Sequence, residues 1–368
     1  MFYRIKKLFS KKWFLLSASI SVTTLALFAC GTGSYIVDLG TPTTMVTSAN
    51  GQSATLGKGK QFINPVITYL GGLNTLSQAA TPWTNTSTNI ITLSQIPYVE
   101  GGKTATDYSP AGSVFSMTTN PTAPSPLGDI NHPGTRSFSG NGLPNTMMGT
   151  FPVQPGTAAY PYYNVLPGGT FQGVTVTADG IGIGPYDITS TVPLNPVATG
   201  FYPINSLIVG VTLTGAVWHI EYANDASSNW YSPINALPTD QCFGHPYGDK
   251  GQYHLHGYSW KCFPNQGTSG QSPVFGFALD GFPITGPRAA DGHMMTNAEL
   301  DECHGTTSEI TMPDGTLKTT YHYVLNREYP YSVGCFRGKV NYAKALGSVD
   351  MQEVDAAQSP YLDAPYPP

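Results

Sequence analysis

Two histidines one residue apart are the strongest chemical feature of the sequence. They lie in the stretch QYHLHGY, residues 252–258, as His254 and His256. On a β-strand, alternate side chains point to the same face, so both imidazoles would face the same neighbours. Imidazole nitrogen is a common ligand of zinc and copper, which makes the pair a candidate metal site. The alternative is two half-buried histidines that are hydrogen-bonded within an ordinary fold.

The sequence around this pair is duplicated. Four blocks recur in the same order, which is the pattern of a repeated structural unit. The blocks share G-x-x-L-x-G, D-x-C-x-G, Tyr-His and Cys-Phe, and they pair 209–220 with 275–286, 240–244 with 301–305, 253–254 with 321–322, and 262–263 with 335–336. We therefore expect two copies of one unit, packed around a pseudo-twofold axis.

The duplication adds candidate metal ligands. His322 is the equivalent of His254, and a pseudo-twofold axis between the two would bring His254, His256 and His322 together. A fourth position would come from His245, from Asp280 or from water. Asp280 is a candidate because its equivalent in the first copy is a threonine, so the acidic group stands in one copy only. The predicted ion is copper or zinc.

Four cysteines accompany the repeat, two in each copy. Because two copies of one unit should carry equivalent bridges, the duplication predicts the pairs Cys242–Cys262 and Cys303–Cys335. An even set of paired cysteines is typical of an oxidising compartment. No two cysteines have C-x-x-C spacing, which argues against a zinc site built from cysteines.

The first thirty residues have the features of an export signal. Basic residues precede an apolar stretch, Trp13–Ala29, that ends at Cys30. This end, LFAC, resembles the lipobox of bacterial lipoproteins, in which the cysteine receives a lipid after cleavage. A simple signal peptide or an uncleaved anchor is the alternative. We therefore expect an exported chain that a lipid on Cys30 holds to a bacterial membrane, at the outer membrane, the cell surface or in the periplasm. Gly31 rather than aspartate follows Cys30, which by analogy with Gram-negative lipoproteins favours sorting to the outer membrane.

Composition predicts a mainly β protein. Only 11% of the residues are charged, while the chain has 41 glycines, 31 prolines and 22 tyrosines. Such a turn-rich composition favours short strands over helices. The mild net charge of -5 and the lack of a basic patch beyond the first twelve residues argue against nucleic-acid binding. We expect a disulfide-stapled β-sandwich or barrel-like domain with an internal duplication, Gly/Pro-rich loops and little helix.

Changes in composition along the chain predict five parts. They are a signal peptide (1–29), a flexible tether (30–60), a β- and loop-rich part (61–200), the duplicated core (201–340) and a C-terminal tail (341–368) with one short helical segment. The tether is predicted from its Gly, Ser and Thr content and its low charge.

The blocks around the histidines resemble the YHYH domain family. CFGHPYGDKGQYHLHGYSWKC, VFGFALDGFPITGP, LDECHG and YHYVLNREYPYSVGCFRG follow that family's order of motifs, and NGLPNTMMGTFP is similar to its upstream part. The resemblance covers residues 105–340 and implies a secreted domain, without supplying a reaction. Leu255 stands where the family's naming motif has its second tyrosine. It faces away from the histidines, so the departure concerns a ring contact on the other face.

Two further functions compete with metal binding. In a surface binding module, Tyr253, Tyr321, Tyr323, Tyr329 and Tyr331 would form an aromatic platform for a glycan or a protein, and the histidines would be structural. In a structural envelope lipoprotein, neither set would bind anything. The sequence contains no G-x-S-x-G, H-E-x-x-H or phosphate-loop motif, so it does not indicate a particular enzyme class.

Overall fold

The computed structural model describes most of the chain beyond residue 98, together with six short strands. The described residues are 99–160, 181–202, 204–220, 238–258, 262–263, 270–326, 330–348 and 350–351, and the short strands lie at 44–47, 53–56, 169–171, 174–176, 223–224 and 230–231. The predicted signal peptide and Cys30 lie outside the described residues. Among those residues, no helix is both long enough and apolar enough to cross a membrane.

The described elements are almost all strands, as the composition predicts. The strands are β1 (Thr44–Thr47), β2 (Ser53–Leu56), β3 (Phe115–Asn120), β4 (Thr135–Gly140), β5 (Gly169–Phe171), β6 (Val174–Val176), β7 (Ile188–Pro193), β8 (Ile208–Thr212), β9 (Val217–His219), β10 (Ala223–Asn224), β11 (Trp230–Tyr231), β12 (Gly244–Tyr247), β13 (Gln252–Leu255), β14 (Val274–Ala278), β15 (Pro283–Thr285), β16 (Gly305–Thr311) and β17 (Leu317–Val324). The helical elements that the structure describes in full are 3-10 turns at Ala105–Asp107 and Asn297–Glu299 and α1 (Tyr342–Ala345), at the start of the predicted helical segment.

Eight strands form one sheet whose order reveals the duplication. The order is β12-β13-β9-β8-β14-β15-β17-β16. We call β8, β9, β12 and β13 the first unit and β14 to β17 the second unit. In each unit the first hairpin, β8–β9 or β14–β15, lies at the centre of the sheet, and the second hairpin, β12–β13 or β16–β17, lies at its edge. At the centre, Val211 pairs with Phe277, its own equivalent in the repeat, so the pseudo-twofold axis passes between β8 and β14.

Local details repeat as well. Both inner hairpins carry a register shift at the same place, between Ile208 and Gly210 in the first unit and between Val274 and Gly276 in the second. The edge hairpins then join the inner ones through parallel pairs, β13 on β9 and β17 on β15. The predicted duplication is therefore a property of the fold and not only of the sequence.

The D-x-C-x-G motif has a physical explanation in the first unit. The Asp240 carboxylate accepts hydrogen bonds from the backbone N–H groups of Cys242 and Gly244, and from the Tyr253 hydroxyl at 2.8 Å. A Cβ on Gly244 would lie 2.2 Å from that hydroxyl oxygen, so only glycine leaves room for the contact. The motif thus ties the loop before β12 to the tyrosine of β13.

The second unit repeats this arrangement with the equivalent donors and the equivalent aspartate. Asp301 accepts from the backbone N–H groups of Cys303 and Gly305, and from the Tyr321 hydroxyl at 2.9 Å. The disulfides are Cys242–Cys262 and Cys303–Cys335, which confirms the pairing predicted from the duplication.

A second sheet, β3-β4-β7, packs on the large one. Its buried residues alternate along the strands, as expected for a sheet with one covered face. Phe138 of β4 lies 6.0 Å from Phe277 between ring centroids, and the Arg136 guanidinium lies 3.6 Å above the same Phe277 ring. The sandwich prediction is confirmed, whereas the barrel-like alternative is wrong: β12 and β16 end the large sheet without pairing with each other.

Candidate metal centre

Three histidines of the first unit meet at the edge hairpin. His245 on β12 lies directly opposite His254 on β13 in the antiparallel register, and His256 follows the end of β13. His254 and His256 face the same side because alternate residues of an extended chain do so. We call His245, His254 and His256 the triad.

The triad's Nε2 atoms converge. The distance from His254 Nε2 to His256 Nε2 is 3.0 Å, and from His245 Nε2 to His256 Nε2 it is 3.1 Å. Nitrogen ligands at 2.0–2.1 Å from a tetrahedral zinc ion lie about 3.3 Å apart. These two distances are therefore close to those of ligands around one ion, the three ligand atoms all lie within 4.8 Å of one another, and the three residues could hold a metal.

Backbone carbonyls beside Nδ1 fix the tautomer of two of these rings. His254 Nδ1 lies 3.1 Å from the carbonyl oxygen of Gln252, and His256 Nδ1 lies 3.2 Å from that of Ile220. A carbonyl only accepts, so each Nδ1 carries the proton and each neutral ring turns its Nε2 lone pair inward. Backbone carbonyls orient metal-binding histidines in the same way in known sites.

Burial favours the neutral form of His254 and His256. The three triad side chains and His219 are each at most 4% exposed. Burial lowers the pKa of His254 well below its ordinary value, and the neighbouring histidines lower it further. Burial also lowers the pKa of His256, to about 3. Neutral imidazole is the form that binds metal ions.

His219, which the sequence reasoning missed, completes the cluster. It lies at the end of β9, the parallel neighbour of β13, and its ring stacks on that of His254 with centroids 3.6 Å apart. Its Nε2 lies 2.9 Å from the side-chain oxygen of Gln252. The repeat offered a signal, because block 209–220 aligns His219 with Thr285, and a histidine therefore stands in one copy only.

The structure separates His322 from the triad, so the expected convergence across the axis is wrong. Four strands lie between β13 and β17. At ~4.8 Å per strand, His254 and His322 are about 24 Å apart. The axis passes between β8 and β14, and the edge hairpins that carry the two histidines are the elements farthest from it.

Asp280 also lies away from the triad. Its carboxylate accepts a hydrogen bond of 2.6 Å from the Tyr323 hydroxyl and bonds from the backbone N–H groups of Arg337 and Gly338. Burial raises its pKa to about 6. In the first unit the equivalent of Tyr323 is Leu255, so Asp280 and the tyrosine that it binds occur together in the second unit only. Its role is to satisfy a buried hydroxyl, not to complete a metal site.

The tyrosines do not form a surface platform. Tyr253 and Tyr323 are 0% exposed and Tyr321 is 7% exposed. Each hydroxyl donates to a carboxylate inside the protein: Tyr253 to Asp240, Tyr323 to Asp280 and Tyr321 to Asp301. Tyr331 is buried too, and Tyr329 lies outside the described residues. The predicted ligand-facing aromatics are therefore part of the core.

The fold and the site define a two-sheet β protein with two disulfides and a buried histidine triad. Residues 189–296 match the family model described as YHYH protein, so this part of the chain is a YHYH-family region and the resemblance is confirmed. The match is narrower than the expected 105–340. It contains the whole triad and ends before β16. No curated protein and no solved structure is significantly similar to the chain.

Proposed function

We propose that the chain binds one copper or zinc ion through His245, His254 and His256. The observation that carries this proposal is the pair of inward lone pairs on His254 and His256. Both Nδ1 protons are committed to carbonyls, so neither Nε2 can donate to the other across 3.0 Å. A cation between the two lone pairs would remove their mutual repulsion, and imidazole nitrogens suit copper and zinc.

Elemental analysis of the purified full chain tests the proposal. The wild type is expected to carry one copper or zinc ion per chain, and the His254→Ala/His256→Ala variant none. His322→Gln is the matched control, because it removes a buried histidine from the equivalent strand position of the second unit and should leave the metal content unchanged. Metal at one hundred times its dissociation constant should stabilise the wild type by about 2.7 kcal/mol.

Two results would count against metal binding. One is a metal-free wild type whose melting temperature is the same with and without added copper or zinc. The other is equal metal content in the wild type and the double variant. Either would leave the histidines as structural residues, as in the envelope-lipoprotein interpretation.

We propose in addition that the chain is exported and anchored by a lipid on Cys30. The two disulfides support this proposal, since such bonds persist in oxidising compartments. Mass spectrometry of the N-terminal peptide should find Cys30 acylated, and Cys30→Ala should move the protein from the membrane fraction to the soluble fraction. An unmodified Cys30 in the mature protein would contradict the anchor.

A further inference from the structure

A cavity of about 200 Å³ lies beside the β14–β15 turn. The β3–β4 loop, the chain from the end of β7 to Thr199, the β14–β15 turn and the chain after Cys335 line it, and no member of the triad does. At ~30 Å³ for each water molecule, the space equals that of about six or seven waters. It therefore suits a small molecule of about six or seven non-hydrogen atoms.

The cavity has a buried floor and an open mouth. On the floor, Asp280 is 1% exposed, and the buried Gly338 donates its backbone N–H to the Asp280 carboxylate at 3.0 Å. At the mouth, His132, Thr199 and Lys339 are exposed. A ligand that enters from solvent would therefore reach a carboxylate at the inner end.

The Asp280 carboxylate can accept a further hydrogen bond. Its Oδ2 accepts from the Tyr323 hydroxyl and from the backbone N–H groups of Arg337 and Gly338. Its Oδ1 accepts one longer bond, of 3.3 Å, from the backbone N–H of Phe282. An ionised carboxylate has about four lone-pair sites, two on each oxygen, so Oδ1 retains room for one more donor.

Burial makes a cationic partner favourable for this carboxylate. The loss of hydration raises the pKa of Asp280 to about 6, although the Tyr323 hydroxyl and the backbone donors oppose that rise. A positive charge close to a buried carboxylate favours its ionised form and offsets the lost hydration.

A second carboxylate lies toward the mouth of the cavity. Asp129, in the β3–β4 loop, lies 2.8 Å from His132 Nδ1 through its Oδ2 and accepts the backbone N–H of Asn131 at 2.9 Å. The bond to His132 and the backbone bond lower the pKa of Asp129, so it is charged at neutral pH. Two carboxylates thus share the cavity with one ammonium group, that of Lys339. When both acids are ionised, these three groups sum to a negative charge.

Apolar side chains also line the cavity. They are Leu127, Pro193 and Val197. Such side chains contact hydrocarbon, whereas the floor carboxylate binds a charged donor. The combination matches a molecule with a short hydrocarbon chain and a cationic end.

We propose that this cavity binds a small aliphatic amine, with its ammonium group on the Asp280 carboxylate and its hydrocarbon chain against the apolar side chains. An ammonium group brings three N–H donors and a full positive charge to the acceptor on the floor. A neutral alcohol of the same length brings one donor and leaves the charge of the carboxylate unbalanced. The site is separate from the triad, so this inference does not depend on the proposed metal ion.

Calorimetric titration of the full chain with 1,4-diaminobutane tests the proposal. The neutral control ligand is 1,4-butanediol, which has the same length and no charge. We expect the diamine to bind at least about 10-fold more tightly than the diol, because hydrogen bonds to a charged group are stronger than those between neutral groups. Equal affinity for the two ligands, or no binding of the diamine at millimolar concentrations, would overturn the proposal.

Variants place the binding at this cavity. Asp280→Asn keeps the shape of the side chain and removes its charge, and it should weaken diamine binding about 10-fold or more. Asp249→Asn is the matched control, since it removes an exposed carboxylate from the β12–β13 turn and should bind the diamine as the wild type does. A folded Asp280→Asn with wild-type affinity would show that the diamine binds elsewhere.

The exposed mouth supplies a test that spares the buried floor. Lys339→Gln removes the positive charge at the mouth and should tighten diamine binding about two- to five-fold. Asp129→Asn removes a negative charge there and should weaken it by a similar factor. Changes of opposite sign in these two variants would show that the cavity prefers an anion, which would overturn the proposal even if Asp280→Asn fails to fold.

Discussion

The two units of the large sheet share a backbone and differ in what surrounds one histidine. His254 of the first unit faces other imidazoles, at 3.0 Å between the Nε2 atoms of His254 and His256. His322 of the second unit faces hydroxyls: Ser308 lies 2.8 Å from its Nε2 and Thr285 lies 2.9 Å from its Nδ1. The same strand position thus has two different chemical environments.

Hydroxyls can satisfy a buried histidine without a cation. The Thr285 hydroxyl donates to the carbonyl of Tyr323, so it accepts the Nδ1 proton of His322. The Ser308 hydroxyl is then able to donate to Nε2. His254 Nε2 faces the Nε2 of His256 instead of a hydroxyl, and a ring whose Nδ1 carries the proton cannot donate from Nε2. Where the second unit places a hydroxyl donor beside Nε2, the first unit places a second imidazole nitrogen, which supports the metal ion proposed there.

The largest expected difference in stability between the units concerns the aspartates of the D-x-C-x-G motif, Asp240 and Asp301. Asp240 is 0% exposed and accepts four hydrogen bonds, whereas the side chain of Asp301 is 30% exposed and accepts three. Asp240→Ala should lower the free energy of unfolding by about 3–5 kcal/mol because it leaves buried donors unpaired. Asp301→Ala should cost about 1–2 kcal/mol, since water reaches that site.

Denaturant unfolding of the two variants measures this difference. Both substitutions remove a carboxylate from the same motif, so each is the control for the other. An equal loss of unfolding free energy for Asp240→Ala and Asp301→Ala would mean that the two aspartates contribute equally to stability. The difference in their burial would then have no energetic effect.

His322 gives the second unit its own dependence on pH. Burial lowers the pKa of His322 from 6.5 to about 4. Between pH 6.5 and pH 4 the unfolded chain binds a proton on His322 and the folded chain does not. The stability that the neutral ring contributes is therefore fully present above pH 6.5 and is lost as the pH falls. From pH 7 to pH 5 this loss is about 2 kcal/mol.

His322→Gln should remove that part of the acid destabilisation. The measurement is the free energy of unfolding of the metal-free wild type and of His322→Gln at pH 7 and pH 5. The wild type should lose about 2 kcal/mol more than the variant over this interval. A parallel loss in both proteins would show that His322 is not the group that titrates.

The smallest expected effect separates the two tyrosine hydroxyls. Tyr253→Phe removes a bond to the buried Asp240, and Tyr321→Phe removes the equivalent bond to the partly exposed Asp301. We expect losses of about 1.5 and about 1 kcal/mol, because the remaining carboxylate in the second unit is more easily hydrated. Thermal unfolding of both variants gives the comparison, and a larger loss for Tyr321→Phe would reverse the expected order.

Features that repeat within the sequence could be predicted, while those set by strand order could not. The pairs Cys242–Cys262 and Cys303–Cys335 were predictable because each bridge closes inside one copy. The position of the axis was not, because local patterns do not specify which strands pair at the centre of a sheet. The repeat alone therefore predicts that His322 meets His254, although four strands separate them.

The ligand set shows the same limit. His254 and His256 follow from strand alternation alone. His245 depends on the hairpin register that sets it opposite His254, and His219 depends on the parallel pairing of β9 with β13. That pairing joins segments more than thirty residues apart, and no local pattern in the sequence marks it.

Anomalous diffraction from crystals grown with copper shows whether one unit binds a metal ion and the other does not. We expect a single anomalous peak in the first unit, about 2.0–2.1 Å from the Nε2 atoms of His245, His254 and His256, and no peak beside His322. A peak beside His322, or a triad without a peak in crystals that hold copper elsewhere, would contradict it.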